Sequence, residues 1–191
     1  MPLLNVKRFA FAAAALGLSA ALAAAAPRPA PAPPTVEGMW EQLEDNGKVG
    51  SWFYIYERDG VYEGKIVKMF LKPGENPNPL CVRCAGEQKN QPTLGLILIK
   101  GMQKKGRSYE NGTILDPRDG SVYNARMELS PDGQKLVVRG YLGIELFGQS
   151  QTWRRLPDST LAEVTGTIPP EAGLPKASPH AQNGKPPIKQ R

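Results

Sequence analysis

The sequence predicts an all-β domain, a closed antiparallel barrel of about eight strands. Between residues 36 and 156, short runs rich in β-branched and aromatic residues alternate with turns that contain glycine, and no long helical pattern occurs there. The first run begins at Gly38-Met39-Trp40, and the last contains Trp153 and Arg155. If the first and last strands pair, the sheet closes and leaves no exposed edge.

The first three strands form a predicted meander. The first spans residues 38–43 and precedes Asp45-Asn46-Gly47, whose residues tolerate positive φ and predict a hairpin. The second, 49–57, contains an uncharged run of aromatic and β-branched residues. Arg58-Asp59-Gly60 turns the chain again into the third strand, 61–69. Short connections of this kind place consecutive strands side by side.

A long predicted loop, residues 71–92, separates this meander from the rest of the domain and contains both cysteines. Loops of this length in compact domains are functional or mobile. In the apolar run at 94–102, Ile97 and Ile99 favour a strand, and a short buried helix is the alternative. Turn-forming sequences then separate four further predicted strands, at residues 108–115, 122–129, 135–141 and 148–156.

Cys81 and Cys84 are the only cysteines, and a local disulfide is predicted for them in an oxidising compartment. A free or redox-active pair and a metal site are the alternatives. Redox chemistry favours a first cysteine at a helix N-terminus, whereas Asn76-Pro77-Asn78-Pro79 indicates a turn-rich loop. The sole histidine, His180, lies near the carboxyl terminus. No metal and no cofactor are therefore predicted.

The amino terminus resembles a targeting segment. Lys7 and Arg8 precede an apolar run, and Ala21-Leu22-Ala23 is a small-residue cleavage pattern, so residues 1–23 are predicted to be a signal peptide cleaved near Ala23. A membrane anchor is the alternative, but the run is shorter than the roughly 20 residues that span a bilayer. The mature protein is accordingly expected to be periplasmic or secreted, without a transmembrane segment.

Two segments of biased composition flank the predicted domain. Residues 24–35 alternate alanine and proline and predict an extended linker. Residues 157–191 are rich in proline and contain no aromatic residue, so they are predicted to be a disordered tail. The domain between them holds 17 basic and 15 acidic residues, although the whole chain has a net charge of +6. A near-neutral domain without a basic stripe is a poor electrostatic match for a phosphate backbone, so no nucleic-acid partner is expected.

The residues at the two ends of the domain resemble a known signature. Gly38-x-Trp40 near the first strand, with a basic residue near the end of the last, is similar to the lipocalin pattern, in which an arginine packs over the tryptophan ring. The resemblance implies that Arg155 lies across Trp40 and that Gly38, Trp40, Trp153 and Arg155 close one end of the barrel. A guanidinium on an indole face stabilises by about 0.5 to 2 kcal/mol.

A larger set of motifs, from residue 36 to residue 156, is similar to the bacterial exported family known as domain of unknown function 2147. These motifs are Cys81-x-x-Cys84-x-Gly86, Leu94-Gly95-Leu96, Ile114-Leu115-Asp116-Pro117-x-x-Gly120-x-x-Tyr123, Val138-Arg139-Gly140-Tyr141-x-Gly143 and Phe147-Gly148-x-x-Gln151-Thr152-Trp153-x-Arg155. The resemblance implies a lipocalin-like (calycin-type) barrel in the cell envelope. It implies no established reaction.

The sequence gives no sign of an enzyme. Residues 36–156 contain no histidine, which excludes Ser-His and Cys-His catalysis within the domain. Asp116 and Asp119 belong to a predicted turn, where aspartate bonds the local backbone. The prediction is therefore a non-enzymatic protein that binds a small apolar or amphipathic ligand. The alternative is an envelope protein-protein interaction module with a solidly packed barrel, whose partner the sequence does not name.

The candidate ligand-binding residues are aromatic, with one arginine. Trp52, Tyr54 and Tyr56 share one face of their strand, and Tyr62 and Tyr123 are expected to join them across the barrel. For these rings, filling a small core is the favoured use, and lining a ligand pocket is the alternative.

Arg139 lies in an otherwise apolar strand and shares a face with Val137 and Tyr141. If this face is inward, Arg139 and Tyr141 would receive an anionic head group. The alternatives for Arg139 are an ion pair with one of three glutamates or an outward, solvated side chain; the glutamates are Glu63, Glu128 and Glu145.

Overall fold

The computed structural model describes residues 33–164, and in it eight antiparallel strands form a closed barrel. Each strand pairs with its neighbours in sequence, and the last pairs with the first through Trp40 and Arg155. The predicted all-β fold, a closed antiparallel barrel of eight strands, is thereby confirmed. The strands are β1 (Gly38–Leu43), β2 (Val49–Arg58), β3 (Val61–Met69), β4 (Ile97–Lys105), β5 (Ser108–Leu115), β6 (Val122–Leu129), β7 (Lys135–Tyr141) and β8 (Gln149–Arg155).

The strand boundaries agree with the sequence to within one residue except at β4. The run predicted at 94–102 is a strand rather than a helix, but it begins at Ile97. Gly95 has a φ of 88°, in the left-handed region that glycine adopts readily in turns, and the Leu96 N–H bonds to the Thr93 carbonyl in such a turn. The segment before Ile97 therefore belongs to the preceding loop.

The up-and-down order assigns every connection to one of two ends. The closed end contains the start of β1, the end of β8 and the short turns after β2, β4 and β6. The open end contains the β1–β2 turn and three longer connections, at residues 70–96, 116–121 and 142–148. The two ends therefore differ in the length of chain available to cover them.

The barrel interior is filled by large side chains. Gly112 shows how closely they pack, because a Cβ at this position would overlap the Met102 side chain and the Lys100 carbonyl. The inward cluster includes Trp40, Phe53, Ile55, Tyr62, Tyr109, Met127, Leu136 and Trp153, all buried.

A second, smaller cluster, called the outer cluster, lies on the outer face of β1, β2 and β3, and its buried residues are Met39, Trp52, Tyr54, Tyr56, Val67 and Val164. The chain continues past β8 through a turn at Asp158–Thr160 into the short helix α1 (Leu161–Val164), and Val164 is only 1% exposed. The boundary predicted at residue 156 is therefore corrected: residues 158–164 are helical and pack against the barrel. Burial of Val164 against the outer cluster offsets the ordering entropy of this short segment.

The other predicted segments lie outside the described residues. These are the signal peptide at 1–23, the linker except for residues 33–35, and the remainder of the tail at 165–191. No helix within residues 33–164 combines the length and the hydropathy needed to cross a bilayer.

Candidate binding site at the open end of the barrel

The closed end is sealed as the sequence predicts. The Arg155 guanidinium carbon lies 4.2 Å from the centroid of the buried Trp40 ring. Arg155 also donates to the backbone carbonyls of Thr35, Glu37 and Gly133. Burial lowers the pKa of Arg155. The three carbonyl acceptors and the aromatic face oppose this effect, because they stabilise the charged guanidinium.

The neighbouring aromatic side chains leave this end packed. Trp153 stacks on Phe53 with ring centroids 4.2 Å apart, and Tyr62 meets Tyr109 edge-on at 4.8 Å. The Tyr109 hydroxyl accepts a hydrogen bond from the Val36 N–H. Burial raises the pKa of Tyr62 to about 12, with a smaller effect from nearby acidic groups. The predicted closure residues are thus together, and they occupy the space that a deeply bound ligand would need.

Three of the predicted ligand-binding residues lie outside the barrel. Trp52, Tyr54 and Tyr56 belong to the outer cluster, while Phe53 and Ile55 point inward from the same strand. The expectation that they face a cavity with Tyr62 is therefore wrong. β2 is apolar on both faces because its outer face packs against the segment that contains α1, so its composition alone does not indicate which face is inward.

Polar contacts fix the outer position of Tyr56. Its hydroxyl donates to Glu63 at 2.8 Å, and Glu63 also accepts from Arg58 at 2.6 Å. Burial raises the pKa of Tyr56, and the hydrogen bond to Glu63 raises it further. The residue is therefore held in a side-chain network on the barrel wall rather than presented to a ligand.

Arg139 and Tyr141 also face outward. Val138 points into the core from β7, so its neighbours point away from it. The Arg139 guanidinium donates to the Glu145 and Leu146 carbonyls and to the Ser150 hydroxyl. The hypothesis of an inward head-group site is wrong. Tyr123, by contrast, is on the inward face of β6 with Ala125 and Met127.

The disulfide loop covers the mouth of the barrel. The predicted bond between Cys81 and Cys84 is confirmed, and both residues are buried in the inward cluster with Leu96 and Leu115. A Cβ at Gly120 would overlap the Arg83 carbonyl, so the 116–121 turn packs directly on this loop. The Cys81–Cys84 segment is therefore a packed cover.

Large exposed apolar side chains concentrate around this cover. Ten such side chains in the described part of the chain are at least 38% exposed, and nine lie at the open end. The exception is Val137, on the outer wall of β7. We call the nine residues the open-end apolar rim: Phe70, Leu71, Leu80, Val82, Val122, Leu142, Ile144, Leu146 and Phe147.

Sequence reasoning missed this rim. Its densest part is the 142–148 loop, where four large apolar residues occur in a short segment that also contains Gly143 and Gly148. Apolar residues in a segment with turn-forming glycines are the signal that was available, because such a segment has no strand or helix to bury them.

Within residues 33–164, no group of three or more histidine, cysteine or carboxylate side chains is arranged to hold a metal ion. The carboxylate of Asp116 is engaged instead with Arg118, whose guanidinium lies within hydrogen-bond distance and lowers the pKa of Asp116.

Residues 38–155 match the profile of a bacterial family described as "Uncharacterized protein conserved in bacteria (DUF2147)". The chain belongs to this family. The matched region begins and ends with the two strands that close the barrel. None of the curated proteins compared with the chain matches it.

Among solved structures, the DUF2147 domain is similar to protein HP1028 from the human pathogen Helicobacter pylori, which is described as a member of the lipocalin family. The TM-score is 0.57 at 19% sequence identity, over 69% of this chain and 89% of HP1028. At this identity the likeness shows a shared lipocalin-like fold.

Proposed function

We propose that this protein is a non-enzymatic binder of a small apolar or amphipathic ligand, held at the open end of the barrel. The observation that carries the proposal is the apolar rim, because nine of ten exposed large apolar side chains gather there. Water contact with this surface is unfavourable by about 25 cal/mol per Å², and a ligand that covers it gains that free energy. Concentrated apolar exposure of this kind marks binding surfaces.

Because the interior is packed, it favours a ligand site at the mouth of the barrel rather than deep inside it. Trp40, Tyr109 and Trp153 fill the closed-end half. The Cys81–Cys84 loop covers the mouth, and exposed Val82 lies within this loop, with exposed Leu80 directly before it. A ligand at this position contacts the loop from outside or displaces it in part.

A ligand screen with matched variants tests this proposal. The full chain is mixed with soluble fatty acids and small aromatic acids, and thermal unfolding and native mass spectrometry are recorded. We expect at least one class to raise the melting temperature and to add mass to the folded protein. Leu80→Ser with Val82→Ser should reduce the shift, whereas Val137→Ser on the barrel wall should retain it.

No shift and no adduct with any of these compounds, in protein recovered from its native source as well as in recombinant protein, would contradict the proposal. An equal loss of the shift in the Leu80→Ser, Val82→Ser protein and in the Val137→Ser protein would also count against it, because the effect would then not be located at the mouth.

A second candidate is an envelope protein-protein interaction module. The solidly packed closed-end half of the barrel favours it, since a packed barrel can present a rigid rim to a protein surface. Capture of one defined partner by the full chain, lost in the Leu80→Ser, Val82→Ser variant without any ligand effect, would select this candidate.

We also propose export to the periplasm or the medium. The support is the sequence of residues 1–23, with basic residues before an apolar run and a small-residue cleavage pattern. The intact mass of the protein from its native source tests it, because cleavage near Ala23 removes a defined mass. A cytoplasmic protein of full mass would contradict it.

A further inference from the structure

The connection between β3 and β4 contains an exposed arm, residues 71–78, in which every residue is exposed. Within the described part of the chain, the hydrogen bonds of the arm join its own residues, and a surface ion pair of 3.1 Å between Lys72 and Glu44 links it to the β1–β2 turn. A Cβ added at Gly74 would meet nothing within 4 Å. Few contacts therefore fix the arm to the barrel.

The arm leads into a compact lid, residues 79–93, which is held together by its own contacts. The Thr93 N–H donates to the Pro79 carbonyl at 2.9 Å and so joins the two ends of the lid. Inside it, the Cys81 N–H donates to the Gln91 carbonyl at 2.8 Å, and the disulfide closes a small ring. These contacts allow the lid to move as one body.

The chain is anchored to β3 directly after the lid. The Gly95 N–H donates to the Ile66 carbonyl at 2.8 Å, and the Ile66 N–H donates to the Leu96 carbonyl at 3.1 Å. The positive φ of Gly95 marks a change of chain direction between the lid and the anchored residues. A body with one anchored and one slack connection can swing at the anchored side without breaking its internal contacts.

The underside of the lid is apolar and rests on the mouth of the barrel. Cys81 and Cys84 are buried and pack with Leu96 and Leu115. The Cys81 Sγ atom lies 3.5 Å from the Pro117 carbonyl oxygen in the 116–121 turn. Opening the lid exposes this apolar surface to water, which favours the closed state. An apolar group that takes the place of the disulfide offsets that cost.

The side chains beneath the lid define what can enter there. In the described part of the chain, the buried charged side chains are Glu63 and Lys65, and both contact Tyr56 in the outer cluster. They therefore lie on the barrel wall and not beneath the lid. An ionised group beneath the lid would lack a charged partner, so this site favours an uncharged apolar group.

We propose that the lid swings open and admits the apolar end of the ligand to the space between the disulfide and the side chains of Leu96 and Leu115. The polar end of the ligand stays in water beside the open-end apolar rim. The inference rests on the proposed function, because it names the place of the ligand at the mouth and the movement that opens it.

Two glycine variants of the full chain test the movement. Gly120→Ala places a Cβ against the Arg83 carbonyl, so the lid can no longer close fully. Gly60→Ala is the matched control, because its φ is 81° against 78° at Gly120 but a Cβ there meets nothing within 4 Å. A water-soluble phosphine reaches the buried disulfide only when the lid is open. We expect Gly120→Ala to speed its reduction by about tenfold relative to Gly60→Ala.

Amide exchange, measured without the phosphine, distinguishes a swinging lid from local unfolding. The Cys81 and Asn90 N–H groups donate to carbonyls inside the lid, so a lid that moves as one body keeps them equally protected in Gly120→Ala and Gly60→Ala. Faster exchange of both amides in Gly120→Ala would overturn the inference in favour of local unfolding. Equal rates of disulfide reduction in the two variants would also overturn it.

A fatty acid with a photoreactive diazirine at the end of its chain tests the site beneath the lid. We expect its cross-links at residues 94–98 or 112–116, mapped by peptide mass spectrometry, and cross-links at the rim when the diazirine is beside the carboxyl group. If the fatty acid raises the melting temperature but its chain end gives no cross-link at those residues, the site beneath the lid is wrong and the proposed function stands. Neither a thermal shift nor a cross-link with any fatty acid would contradict both.

Discussion

The closed and open ends of this barrel are covered in different ways. At the closed end, side chains from the paired first and last strands seal the sheet, with Arg155 stacked over the buried Trp40 ring. At the open end, a disulfide loop covers the mouth, and nine large apolar side chains remain exposed around it. One end is built from contacts that folding completes, whereas the other leaves apolar surface exposed, and we propose that this surface binds a ligand.

Removal of Trp40 should have the largest effect on stability. Trp40→Ala leaves a cavity in the closed end and deprives Arg155 of its aromatic face, so we expect a loss of about 3 to 5 kcal/mol in the free energy of unfolding. Phe147→Ala at the open end is the matched control and should change stability by less than about 0.5 kcal/mol. Urea unfolding of both variants measures the contrast. Similar losses at the two positions would contradict it.

Removal of the disulfide should cost less. Cys81→Ser with Cys84→Ser opens a very small ring, for which chain-entropy reasoning gives about 2 kcal/mol. The protein should still fold, and amide exchange should rise first in residues 81–84 and in the 116–121 turn that packs on them. Thiol titration of the unfolded, unreduced wild-type protein should detect no free thiol. Two reactive thiols would show that the bond does not form.

Arg155→Lys tests which property of the arginine matters. Lysine keeps the charge but loses the planar face over Trp40 and the fork that reaches several carbonyls, so we expect a loss of about 1 kcal/mol. Tryptophan fluorescence and denaturant unfolding report this change together. If Arg155→Lys destabilises the protein as much as Trp40→Ala, the stacking account is insufficient and burial of the charge dominates.

The smallest expected effect is on the stability of the folded protein at acidic pH. The Arg118 guanidinium lowers the pKa of Asp116 from its ordinary value of 3.8, so the carboxylate stabilises the folded state above that value. This contribution is lost as the pH falls below 3.8 through the lowered pKa. Asp116→Asn should therefore flatten the decline in stability on acidification, measured by urea unfolding at several pH values. If stability declines with falling pH in Asp116→Asn as it does in the wild-type protein, other carboxylates cause the decline.

Much of the fold follows from local patterns in the sequence. Asp45-Asn46-Gly47 and Arg58-Asp59-Gly60 are turn sequences, and each connects the strands it was expected to connect. The start of β4 was placed three residues early, because Gly95 adopts a left-handed turn that an apolar run does not reveal. Turn chemistry acts over a few residues, which is why it can be deduced without the tertiary structure.

The candidate site was harder to predict. The motif positions of Cys81, Cys84 and Arg155 indicated the disulfide and the closure, but the aromatic residues were assigned to the wrong face. Tyr62 is inward and Tyr56 outward, although both were expected to line one cavity. The rim on the 142–148 loop was not predicted, because exposure depends on what packs over a segment and not on its composition.

The sequence by itself determined the number and order of the strands, the pairing that closes the barrel and the cysteine pair, since turns, strand composition and paired motifs are local properties of the chain. Only the tertiary structure decided which face of β2 is inward and where Arg139 points. A period of two fixes which residues share a face, but not which face meets the core. Here residues 156–164 bury the outer face of β2 as well. Both faces of the strand are therefore apolar, and the sequence of β2 does not show which one meets the core.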